Sequence, residues 1–82
     1  MSPQKGFDAR SKLGRYVFQM LDVSVKLKPD IRVVVVRVHN LIAEDPEDST
    51  LRFKLKRDID VLMREPRLSP IVCMLWKELP ST

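Results

Sequence analysis

The sequence predicts an all-α fold, a small bundle of four helices in a single domain spanning residues 1–82. Three observations carry this expectation. Apolar residues recur at three- and four-residue intervals in four successive segments, the period of a helix that buries one face. Prolines at positions 3, 29, 46, 66, 70 and 80 divide the chain into stretches that suit helices better than strands, because proline ends or begins a helix but cannot continue one. Glycine is scarce, at two residues, and neither supplies the positive φ that a tight hairpin needs.

The first helix is expected over residues 8–27, capped by Asp8, with Leu13, Tyr16, Val17, Met20, Leu21, Ser24 and Leu27 on its apolar stripe. Gly14 inside it costs up to ~1 kcal/mol of helix propensity. Its last turns, DVSVKLK, alternate like a strand. An α+β fold with a hairpin near residues 23–38, turning at Lys28-Pro29-Asp30, is therefore the rival architecture.

The second helix is expected over 30–44. It contains four consecutive valines, yet Ile31, Val34, Val35, Val38, Leu41 and Ile42 fall on one helical stripe. Asp30 is the expected N-cap, with Pro29 just outside, and Glu44-Asp45-Pro46 is the stop. Helix three, 49–65, places Leu51, Leu55, Ile59 and Leu62 on a stripe, with Val61 and Met63 at its margins and Asp48 or Ser49 as cap. Helix four, 69–79, has Ser69 as expected cap, Pro70 at the first position, and Ile71, Val72, Leu75, Trp76 and Leu79 on its apolar side. Trp76 is expected to be mostly buried near Leu55, Ile59 and Leu62. Residues 1–7 read as a flexible N-terminus and 80–82 as a tail.

Helices two and three echo each other at a spacing of twenty, as in Val35 with Leu55, Arg37 with Arg57, and Ile42 with Leu62. Two amphipathic helices entered in the same register produce such an echo without a repeat. The opening Asp30-Ile31-Arg32-x-x-Val35 is similar to helices of HEAT-type α-solenoid repeats, a resemblance confined to this helix and to two or three positions. It implies binding of protein partners.

Composition narrows the function classes. Apolar residues make up 44% and charged residues 32%, a globular balance. The single cysteine, Cys73, leaves no intramolecular disulfide and no thiol pair for a metal, so the chain reads as intracellular. No apolar run approaches the ~20 residues that cross a bilayer. Neither a cofactor nor a metal is expected, and no membrane.

Enzymatic chemistry finds no constellation. His39 is the only histidine and has no evident nucleophile beside it. Cys73, within an apolar helix, is expected to be an inert core thiol. The carboxylates Glu44, Asp45, Glu47 and Asp48 lack the oxygen spacing and turn glycine of a calcium loop.

Two binding classes remain. A net charge of +4 with basic ends permits nucleic acid, through phosphate contacts from Arg10, Lys12, Arg15, Arg52, Lys54, Lys56 and Arg57. On a helix the last four spread around the circumference, however, and i,i+4 pairing of Lys54 with Asp58, Lys56 with Asp60 and Asp60 with Arg64 absorbs local charge. The favoured class is a non-enzymatic protein-interaction or dimerisation module, within a transcriptional or other regulatory assembly. Its basis is surplus apolar surface: Val33 and Val36 on helix two, Phe18 and Val25 on helix one, and Phe53 on helix three lie off the stripes. Burial of both sides of a central helix two is the structural alternative for the valines.

Overall fold

The computed structural model describes residues 11–80, so Asp8, Arg10 and the 1–7 segment lie outside the described residues, as do 81–82. Four helices form: α1 (Lys12–Ser24), α2 (Pro29–Glu44), α3 (Leu51–Met63) and α4 (Ser69–Glu78). Among the described residues there is no strand, which settles the architecture in favour of the bundle. The hairpin fails for a local reason. No described residue adopts positive φ, and 25–27 closes instead as tight turns, with Lys26 N–H donating to Val23 C=O and Leu27 N–H to Ser24 C=O, both at 3.0 Å, before an extended Lys28 leads into α2.

Each helix packs on its neighbours in sequence, and α4 returns against α1, so the four surround one core in cyclic order. The backbones of α1 and α3, and of α2 and α4, stand apart across the middle, which side chains from all four helices fill. The core is filled by Val17 and Met20 from α1, Val35, Val38 and Ile42 from α2, Leu51, Leu55, Ile59 and Leu62 from α3, and Val72 and Leu75 from α4. Leu79 just after α4 joins them, as does Leu68 from the α3–α4 connection. Leu68 continues the period of Val72, Leu75 and Leu79 one turn upstream, but it lies before the helix expected from Ser69 and so is missing from the expected stripe. Ser24 is also buried, its hydroxyl donating to Leu21 C=O at 2.8 Å.

The expected stripes hold at their centres, while Ile31, Val34 and Leu41 on α2 are half-buried at its edges. Several caps move. Ser11 caps α1, accepting from Gly14 N–H at 3.0 Å. Pro29 is the first residue of α2 and Lys28 its N-cap, so Asp30 sits in the first turn, where a carboxylate favours the helix dipole without capping. The N-cap of α4 is Leu68, with Ser69 the first helical residue and Pro70 in the first turn. Helix α3 starts at Leu51 after Thr50. Asp48 acts two residues earlier, accepting from the Thr50 amide at 2.8 Å and hydroxyl at 2.6 Å.

Candidate functional site

The cyclic packing decides what becomes of the surplus apolar side chains. Because α2 touches only α1 and α3, it is not central, and its outer face stays in solvent. Val33 is 60% and Val36 45% exposed, which overturns the reading in which α2 buries both sides. Pro29, Arg32, Val33 and Val36 line a shallow recess of about 420 Å³ on that face.

Helix α1 carries two further exposed apolar side chains. Phe18, 40% exposed, approaches the His39 ring of α2 with centroids 6.2 Å apart and planes tilted by 56°. His39 lies one turn from Val36, and Val36 one turn from Val33. Val25, at the C-cap of α1, is 69% exposed and stands four residues before Pro29. Val33 and Val36 thus share one recess, Phe18 meets α2 at His39, and Val25 stands exposed at the C-cap of α1. Phe53 is on neither helix. It projects from α3 at 87% exposure, beside Lys54, Lys56 and Arg57.

The polar edges of the α1–α2 face are unequal. Arg15, Lys28 and Arg32 are exposed and have no ion-pair partner among the described residues. On the edge toward α3, Arg37 donates both Nε and Nη2 to Asp58, at 2.8 and 2.7 Å. That bidentate pair raises the arginine pKa further, and it ties α2 to α3. His39 Nδ1 and Asn40 Oδ1 are 3.0 Å apart.

The bases of α3 do not assemble into one patch. Asp58 belongs to Arg37, so the expected Lys54–Asp58 pair does not form. Lys54 reaches back to Asp48 at 2.8 Å instead. Of the other expected pairs, Lys56–Asp60 is present at 3.5 Å, whereas Arg64 does not bond Asp60. Arg52 turns toward α4: its guanidinium lies 5.3 Å from the Trp76 ring centroid, and Nη2 donates to Trp76 C=O at 3.1 Å. Lys56 Nζ stands 5.9 Å from the same ring. Of the seven candidate phosphate contacts, Arg10 is outside the described residues, Arg52, Lys54 and Lys56 are engaged internally, and Lys12, Arg15 and Arg57 are exposed with no ion pair among the described residues.

Trp76 is mostly buried, as expected, packing one side on the core while Arg52 and Lys56 stand over the ring. Cys73 is exposed, correcting the expectation of a core thiol. The cause is geometric. Helix α4 meets only α1 and α3, so its buried arc is narrow, and the apolar run Ile71–Trp76 wraps past it. Cys73, Met63 and Trp76 then line a groove of about 190 Å³ between α3 and α4, together with Lys56, Ile59 and Asp60.

Among the described residues, no group of three His, Cys, Asp or Glu side chains is placed to hold a metal ion, and no helix is long and apolar enough to cross a membrane. Comparison with protein-family models, with curated proteins and with solved structures returned no match.

Proposed function

We propose that the chain is a non-enzymatic protein-interaction module that presents the outer face of α1 and α2 to the apolar face of another helix. The observation that carries this reading is the exposure of Val33 and Val36 in one recess of α2, with Phe18 and Val25 also exposed on α1, in a domain whose core is filled by other side chains. The shallow recess lined by Pro29, Arg32, Val33 and Val36 on the outer face of α2 offers a seat for an amphipathic helix, the helix-in-groove mode of recognition. Exposed apolar surface of this kind is released from water when a partner covers it.

The nucleic-acid alternative loses support on α3, where Arg52, Lys54 and Lys56 each have an internal contact. The exposed Arg15, Lys28 and Arg32 of the α1–α2 face have no ion-pair partner among the described residues, so salt and nuclease separate the two readings. Capture from cell extract tests the reading, with nuclease-treated and untreated extract compared at about 50 and 200 mM salt. Wild-type chain should retain protein after nuclease treatment and at the higher salt. Val33→Asp and Val36→Asp should abolish that retention with unchanged melting, while Arg57→Glu should leave it intact. Loss of all bound material on nuclease treatment, or retention that survives both valine variants, refutes it.

A further inference from the structure

The outer face of α2 carries a regular seam. Pro29, Val33, Val36, Asn40 and Ala43 alternate at four- and three-residue steps along the whole helix. The first four are exposed and Ala43 is half-exposed. This 4-3-4-3 order is a heptad seam, with Val33 and Asn40 at a positions and Val36 and Ala43 at d. It runs opposite Val35, Val38 and Ile42, which face the core, so the helix has two distinct apolar sides. From this seam we infer that the partner helix is α2 of a second copy, lying parallel and in register. The inference rests on the interaction reading above and names its partner.

Asn40 and the flanking charges select that occupant and that direction. In a parallel pair in register, Asn40 meets Asn40 of the second copy across the seam. A carboxamide carries both donor and acceptor, so two of them satisfy each other, and a single asparagine at an a position fixes register in two-stranded coils. The Nδ2 group of Asn40 makes no hydrogen bond among the described residues. One edge of the seam carries Arg32 and His39, the other Asp30, Arg37 and Glu44.

Antiparallel pairing would set like edges together, with Asp30 against Glu44 of the second copy and Arg37 against its own counterpart. Parallel pairing instead sets His39 against Glu44 of the second copy. Its one unfavourable pairing is Arg32 with Arg37 of the second copy, whose guanidinium is already closed on Asp58. Helix α2, with 16 residues, is about 24 Å long. A seam of that length with its α1 flank buries on the order of 1,000 Å² in total, the lower end of specific interfaces. The dimer is therefore weak, dissociating in the micromolar range.

Sedimentation of the whole chain from about 1 µM to 1 mM should show a monomer–dimer equilibrium. Val36→Asp should weaken it by about 100-fold or more, because a charge would be buried at the centre of the seam. Asn40→Val should tighten it about 10-fold while relaxing register. Arg32→Glu should tighten it several-fold by turning its one repulsive edge pair into an attractive one. With Cys73→Ser as background, Asn40→Cys exposed to oxidised glutathione should form a covalent dimer, which only the parallel register allows. A chain that stays monomeric throughout overturns the proposal, as does a dimer that survives Val36→Asp or leaves Asn40→Cys uncrosslinked. If the chain is monomeric while Val33→Asp and Val36→Asp still abolish capture of a foreign protein, the interaction reading stands and the self-pairing alone falls.

Discussion

At Arg52 the structure puts a base where it has least to do with a ligand. Its Nη2 bonds the Trp76 carbonyl and its guanidinium covers the indole, but the buried Nε has no hydrogen-bond partner among the described residues. An orphaned buried donor costs about 1–3 kcal/mol, enough to cancel much of what the other contacts contribute. Arg52→Met, which keeps the aliphatic stem over the ring and removes the orphan, should therefore change stability by less than about 1 kcal/mol. Arg52→Ala, which uncovers the indole, should cost about 1–2 kcal/mol. Urea titrations of the two variants check the order. If methionine is as damaging as alanine, charge over the ring outweighs the covering stem. The same site shows where residue-level reading stops. Val33 and Val36 could be recognised from sequence because they sit opposite a full stripe, as could the place of Trp76 against the core, whereas Cys73, three residues before it, is expected inside and is exposed. An apolar run longer than the arc its neighbours cover leaves the choice to packing, and no period encodes which neighbours are present.

Element boundaries were legible to within a few residues, and the disagreements share one cause. Sequence favours the residue with the best capping side chain, while the chain starts each helix where the connection from the previous one allows. Asp48 is the clearest case. Rather than capping α3 directly, it holds the turn before it, accepting from Thr50 and pairing with Lys54 in the first turn of the helix. These hydrogen bonds, led by that from Lys54, hold its carboxyl well below the usual carboxylate range, and the same pair raises the Lys54 ammonium. The sign follows from linkage. A carboxyl depressed in the folded state contributes stability that is complete above its unfolded pKa of about 4 and is lost as pH falls through the lower folded value. Acid titration followed by far-ultraviolet circular dichroism should therefore show an acid limb that Asp48→Asn flattens. The amide can still accept from Thr50, so α3 should keep its starting point. An unchanged acid limb in the variant would assign that limb to the remaining carboxylates.

The whole molecule is a ring of four helices, in which each has two neighbours and none spans the centre. The periods that located the helices say nothing of this order, since a stripe specifies that a helix is buried on one side, not against what. It is the ring that leaves the outer side of α2 open and so makes its seam available. Closure between α1 and α4 also has a consequence for folding. If α4 loosens, α1 loses one of its two neighbours and the core loses Val72, Leu75 and the adjoining Leu68 and Leu79. The remaining three helices could not seal that core, so the domain should unfold as one unit. Leu75→Ala, deleting a fully buried side chain, should cost about 2–5 kcal/mol, a large fraction of the stability of so short a chain. Hydrogen exchange makes the test specific. Amides in the middle of α2, the helix farthest from α4 around the ring, should lose as much protection as those of α4 itself. Selective loss in α4 alone would mean that the first three helices form a separate unit, and the ring would then close only after they had folded.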